Sequence, residues 1–226
     1  MNTASLRKFL IPTDKDFLLL ALLHLFALWL GKEGVAMVTK SVLLPILLIW
    51  TWPITAKLPW LRLGIFASWV GDVLLIKGEE ELFFMLGLGA FLIAQIAYGY
   101  TFLKSDSNEK GLIRQKPWLA LPVVALAVAI YVYLYPTLGE MLIPVSIYVC
   151  AISFMVLSAI NRRGFERKGS TVLIIAVFSF MLSDTLLAVN KFVIEIPRAS
   201  VWIMLTYIMA QYGIAQSYWL AAKNPD

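Results

Sequence analysis

The chain is poor in the side chains that most often build metal and nucleophile sites. It has one histidine, His24, and one cysteine, Cys150. A single cysteine allows no internal disulfide. Catalytic zinc usually takes three protein ligands rich in histidine and cysteine, and one of each on different apolar runs argues against such a site. His24 is also the only candidate base for a Ser-His-Asp triad, and there is no Gly-x-Ser-x-Gly elbow, P-loop or dinucleotide fingerprint. Charge is scarce as well. Only 15% of the 226 residues are Asp, Glu, Lys or Arg, against about 25% in a typical soluble domain. The shortage of polar surface excludes a water-soluble globule. The formal net charge of +5 calls for no nucleic-acid partner, because the basic residues sit in short segments between apolar runs.

Long apolar runs are what the sequence has in abundance. The composition is 61% hydrophobic and the mean hydropathy is +0.82. A membrane-crossing helix needs roughly 20 mostly apolar residues. A β-barrel would show short alternating segments, whereas these runs are continuous. The expected fold is all-α: a polytopic membrane helical bundle forming one transmembrane domain over 1–226. Eight spans are predicted, at about 16–30, 35–55, 61–77, 82–103, 117–135, 140–160, 170–190 and 199–220. Pro12, Pro59, Pro117 and Pro197 fall at or near proposed ends. Pro45 and Pro144 fall inside spans, which a membrane helix tolerates where neighbours satisfy the freed backbone groups. The first run lacks a small-residue cleavage site and leads straight into further spans, so no cleaved signal peptide is expected.

The intervening segments alternate in charge. One side collects Arg7, Lys8 and Lys15, then Lys57 and Arg62, then Lys104, Lys110, Arg114 and Lys116, then Arg162, Arg163, Arg167 and Lys168, with Lys223 last, 14 in all. The other side has four: Lys32, Lys77, Lys191 and Arg198. Positive charge favours the cytoplasmic side, so both termini are expected there, as an even number of spans requires. The short loops suggest a bacterial inner membrane.

The two halves echo each other. Gly71-Asp72-Val73-Leu74-Leu75 reads G-D-x-L-L and Ser183-Asp184-Thr185-Leu186-Leu187 reads S-D-x-L-L. Phe91-x-x-Ala94-Gln95 matches Tyr207-x-x-Ala210-Gln211. A parallel repeat of four plus four spans explains the echo. It places two carboxyls at similar depth about a pseudo-two-fold axis, facing a shared cavity.

Those carboxyls are the sharpest clue to function. A charge at the centre of a membrane helix costs about 2.5–3.5 kcal/mol, and such residues mark proton paths and active sites. On the expected topology Asp72, Asp184 and Lys40 lie in the outer half, Asn190 and Lys191 at the outer end of the seventh span, and Gln95 and Gln211 nearer the midplane. Tyr98 and Tyr207 add hydroxyls. Structural readings stand beside the functional one: the acids as partners of Lys40 or Lys191, the glutamines as interhelical glue, Lys40 snorkelling, His24 as a satisfied lone histidine, and Trp50, Trp52, Trp60, Trp69, Trp118 and Trp219 as interface belts. Two carboxyls in low dielectric, one kept protonated by desolvation and one ionised by a lysine or amide, make an acid and a base. That pair suits an oxocarbenium-like transition state at an acid-labile ether. It also suits a proton-coupled transporter, and the residues alone leave both open.

At these motifs the sequence resembles the YhhN-like family of integral membrane proteins, the lysoplasmalogenases. The matching pieces are Lys40 before an apolar span, the G-D-x-L-L of the third span, and Gly87-x-Gly89-Ala90-Phe91-x-x-x-Gln95-x-x-Tyr98. Ser183-Asp184-x-x-Leu187-Ala188-x-Asn190-Lys191-Phe192 and Tyr207-x-x-Ala210-Gln211 complete them. The chain departs from the family pattern with Ser41 after Lys40 and Gln95 where histidine is common, which leaves the acids as the better catalytic candidates. The resemblance implies hydrolysis of the vinyl ether bond of lysoplasmenylethanolamine or lysoplasmenylcholine, with no metal or redox cofactor. Asp72 and Asp184 are then the catalytic pair. Lys40, Asn190 and Lys191 would bind the phosphate head or tune an acid, and Gln95, Tyr98, Tyr207 and Gln211 would line the pocket. The rival readings are a proton-coupled transporter of a small amphiphile and a non-catalytic lipid-binding membrane protein.

Overall fold

The computed structural model describes residues 12–104, 111–162 and 167–223. Among the described residues there are helices and no strands. In chain order the α-helices are α1 (Asp14–Trp29), α2 (Glu33–Thr55), α3 (Pro59–Leu74), α4 (Glu81–Lys104), the single turn α5 (Leu112–Gln115), α6 (Leu121–Leu134), α7 (Leu142–Asn161), α8 (Arg167–Phe192) and α9 (Ala199–Lys223). Short 3-10 turns carry α3 on to Lys77, lead into α6 from Pro117 and join α6 to α7. Each expected span coincides with one long helix. Six of these, α2, α3, α4, α6, α7 and α8, are long and apolar enough to cross a membrane. The remaining two are α1, with only 16 residues, and α9, interrupted by Gln211, Gln216 and Ser217. Outward faces carry Leu22, Phe26, Val132, Ile143 and Ile175, all exposed, as a lipid-facing surface demands. This is a multi-pass membrane protein.

Local sequence sets the helix ends. Proline opens α3 and lies in the first turn of α6, where its missing N–H is no loss. Gly31, with φ of +66°, closes α1. Its N–H donates to Leu28 O (3.1 Å) and Lys32 N–H to Ala27 O (2.8 Å), the paired bonds of a Schellman ending. Within α2, Pro45 cannot donate to Ser41 O four residues back. The indole Nε1–H of Trp69 on α3 donates there instead, at 2.8 Å, so a neighbouring helix supplies what the proline withholds. Trp69 therefore has a structural bond that an interface-belt reading does not foresee. Trp50 departs further from that reading. It is buried, and stacks between Tyr212 (5.7 Å) and Trp219 (6.0 Å), with Phe17 beyond Tyr212 (5.9 Å), knitting α1, α2 and α9 together.

The loops gather at two ends in the expected alternation. At one end Lys191 Nζ donates to Gly78 O (3.1 Å), Arg198 lies 3.7 Å over the Trp29 ring, and Phe84 meets Phe192 at 5.8 Å. At the other, Asn161 Oδ1 accepts from Ile113 N–H (2.9 Å) and Arg162 lies 4.5 Å over the Tyr218 ring. Of the basic residues expected there, Arg7, Lys8, Lys110 and Arg163 lie outside the described residues, as do the side chains of Arg167, Lys168 and Lys223.

Packing repeats between halves. The most extensive pairings are α3 with α4 and α8 with α9. These are corresponding pairs in a four-plus-four repeat. Across the halves α4 packs on α7, and α9 packs correspondingly on α2 and also on α1.

Candidate active site

Each acid is held from two directions. Asp72 on α3 is only 2% exposed. Its Oδ1 lies 4.0 Å from Lys40 Nζ on α2. Its Oδ2 accepts from the Tyr207 hydroxyl of α9 at 2.8 Å. Asp184 on α8 is half-buried. Its Oδ2 accepts two bonds, from Tyr148 OH on α7 (2.7 Å) and from Gln95 Nε2 on α4 (2.8 Å). Among the described residues no hydrogen bond reaches its Oδ1. The two arrangements correspond in the way the expected four-plus-four repeat would have them. In each half, the second span of the unit (α2, α7) reaches the acid of the third (α3, α8). The fourth span of the opposite unit (α9, α4) completes the grip. Each carboxyl thus depends on both halves of the chain.

The chemistry of the two grips differs. Asp72 faces an ammonium and a phenol. Asp184 has neutral donors alone, and it borders a small apolar groove of about 40 Å³ with Ala127, Ile130, Tyr148, Met181 and Thr185. Between the acids run buried connections. Tyr98 OH donates to Gln211 Oε1 at 2.7 Å. Phe91, Phe180 and Tyr207 pack edge-to-face at 5.7–6.3 Å. Gln95 Oε1, Gln211 Nε2 and Ser68 Oγ are buried with no hydrogen-bond partner. Such atoms are expensive to leave bare.

A cavity of about 490 Å³ opens at the Lys191 end of the bundle. Lys40, Lys191, Asn190 and His24 line it, with Glu33 and Glu79 exposed at its mouth. The lining includes Leu75 and Leu187, each three residues beyond an acid on its own helix. Residues three apart share a helix face, separated by about 4.5 Å of rise. Asp72 and Asp184 therefore lie nearly one turn below the cavity wall, on the stripes that form it.

The structure thus brings Lys40 and Tyr207 to Asp72, Gln95 to Asp184, and Tyr98 to Gln211. It puts Lys40, Asn190 and Lys191 on one cavity. Asn190 Oδ1 is engaged by Ile196 N–H (2.9 Å) and shapes the turn before α9. The two acids sit in separate hydrogen-bonded sets and do not bond each other. Tyr148 is the residue that sequence reasoning passed over. Its hydroxyl reaches Asp184 from the second span of its half, as Lys40 reaches Asp72 from α2, although the offset of 112 between the acids does not align the two residues. No metal-binding cluster of three or more His, Cys, Asp or Glu occurs among the described residues.

A helical membrane bundle gripping two carboxyls from both halves of the chain defines the class. Residues 35–218 match the YhhN family, and the chain belongs to it. It is 27% identical over 208 residues to the human protein named lysoplasmalogenase TMEM86A, covering 85% of this chain and 82% of that one. It is 27% identical over 182 residues to the lysoplasmalogenase of Mycobacterium tuberculosis, covering 77% and 66%. The pig lysoplasmalogenase TMEM86B is 32% identical over 155 residues, covering 68% and 61%. No solved structure matches the chain.

Proposed function

We propose that the protein is a lysoplasmalogenase that hydrolyses the vinyl ether bond of a lysoplasmalogen to a fatty aldehyde and a glycerophospho-alcohol. The observation that carries this reading is the unequal pair of carboxyls beneath one cavity. Vinyl ether hydrolysis asks for a proton at carbon, a base for water and little bulk solvent. Asp184, among neutral donors and beside an apolar groove, delivers its proton to the β-carbon of the vinyl ether. The electron pair on oxygen then forms the oxocarbenium ion. Asp72, ion-paired with Lys40, takes a proton from water as the water oxygen bonds to the α-carbon. The hemiacetal so formed loses its hydroxyl proton to Asp184. The carbon–oxygen bond to glycerol breaks, and the departing oxygen takes the proton held by Asp72. Both acids end as they began, one water is consumed, and no metal or redox group is drawn on. Lys40 and Lys191 attract the phosphate, and the alkenyl chain runs down the apolar grooves.

We read all eight long helices as crossing the membrane, as one domain over 1–226 with both termini cytoplasmic, in a bacterial inner membrane. The one-sided distribution of Lys and Arg supports that orientation. The activity test is aldehyde release by purified protein in detergent, where transport produces no signal. Asp72→Asn and Asp184→Asn are each expected to lower turnover at least about 100-fold. Wild-type rates in both folded variants would refute the assignment.

A further inference from the structure

His24 does not fit the role of a satisfied core histidine. The side chain is 1% exposed. Its Nδ1 lies 2.8 Å from Thr39 Oγ1. That hydroxyl spends its single proton on backbone oxygens of its own helix, Val35 O at 2.7 Å and Ala36 O at 3.1 Å. It must therefore accept from Nδ1–H, and this fixes the neutral tautomer whose Nε2 is a bare acceptor. Nε2 is buried and has no partner, and the residue lines the cavity that holds Lys40 and Lys191. A buried acceptor held ready at a cavity wall asks for an N–H or O–H donor from a ligand.

The rest of the wall says which donor. Lysines and carboxylates share the cavity with His24, so it complements a zwitterion: a phosphate for Lys191 and Lys40, a cation for Glu33 and Glu79. A quaternary ammonium offers no N–H and is recognised by open aromatic faces. The cavity's described lining has one benzenoid ring, Phe84, and Lys191 Nζ already lies 4.9 Å over it. A primary ammonium, with three N–H donors, matches what remains.

Resting on the lysoplasmalogenase reading, we propose that His24 Nε2 accepts a hydrogen bond from the primary ammonium of the substrate head group, so that the cavity selects phosphoethanolamine over phosphocholine lipids. A site built to receive a hydrogen bond discriminates strongly against an analogue that lacks the donor.

The single histidine makes the test clean. In tag-free protein labelled with ¹⁵N-histidine, one Nε2 resonance reports on this site. Glycerophosphoethanolamine is expected to shift it, and glycerophosphocholine to leave it in place. Equal responses to both compounds, or a response to neither, would overturn the proposal. The kinetic counterpart is the ratio of kcat/KM for lysoplasmenylethanolamine to that for lysoplasmenylcholine. His24→Phe should lower the ratio at least about tenfold through the ethanolamine lipid alone. His24→Gln, which keeps an acceptor, should restore part of it. An unchanged ratio, or rates falling together for both lipids, would contradict the assignment. The nuclear resonance arm requires no turnover, so a protein that hydrolyses neither lipid would refute the reaction while leaving the head-group site to be judged by binding.

Discussion

Replacing Lys40 with methionine tests whether the bundle relies on the Lys40–Asp72 pair. The two groups stand 4.0 Å apart, with the Lys40 side chain 18% exposed and that of Asp72 3%. At that separation the attraction is about 4 kcal/mol at an effective dielectric of 20. Removing one partner of a buried pair costs about 3–5 kcal/mol, because the other charge is left without compensation. Lys40 borders the cavity, so the lower end applies, and Lys40→Met should destabilise the fold by about 3 kcal/mol. Asp72→Asn leaves an ammonium able to turn toward that cavity, and should cost about 1–2 kcal/mol. The double variant carries no bare charge. It should be more stable than Lys40→Met, giving a coupling of at least about 1 kcal/mol. Equilibrium unfolding in mixed micelles, followed by tryptophan fluorescence, reads all four species. If the double variant loses the full sum of the two single losses, the pair is not an energetic unit and the reasoning fails.

Three further outcomes are expected. Tyr148→Phe removes one of two donors from Asp184 and should lower kcat about 10–100-fold, the worth of a hydrogen bond to a charged or reacting carboxyl, with the folded state retained; an unchanged kcat would remove Tyr148 from the site. Trp69→Phe should destabilise the protein by about 1–2 kcal/mol through the orphaned Ser41 carbonyl, and Pro45→Ala, which restores an N–H for that carbonyl, should recover most of the loss in the double variant. Gly213→Val should destabilise by about 1–3 kcal/mol, since even a Cβ there would come within 2.7 Å of Ala176 Cβ across the α8–α9 contact; thermal unfolding unchanged from wild type would show the helices to be farther apart.

The helices were legible because apolar length and basic loops are one-dimensional properties. Leu22, Phe26 and Ile143 face outward for the same reason they lengthen a span. The two acids were legible because a carboxyl in an apolar run is costly wherever its helix points. Lys40, Gln95, Tyr98, Tyr207 and Gln211 stood out on similar grounds. Which of them meet was not readable, since contact depends on rotation about each helix axis. Tyr148 was hidden because tyrosine passes as an apolar membrane residue until its hydroxyl is seen against Asp184. Trp50 and Trp69 pass for belt residues because sequence position gives depth along a helix and not the side it faces. His24 shows the same limit: its identity was plain, and only the proton arrangement around Thr39 reveals an open acceptor. The echo of G-D-x-L-L in S-D-x-L-L leads to an expectation of two carboxyls facing a shared cavity; instead Leu75 and Leu187 line the cavity, and the acids lie behind them in separate hydrogen-bonded sets.

The measurement that bears most directly on the central claim is aldehyde release from lysoplasmenylethanolamine by the purified protein in detergent, with Asp72→Asn and Asp184→Asn run in parallel. Aldehyde is expected from the wild type, with at least about a 100-fold loss in each variant while both variants remain folded. No aldehyde from the wild type, or undiminished release from both folded variants, would contradict it.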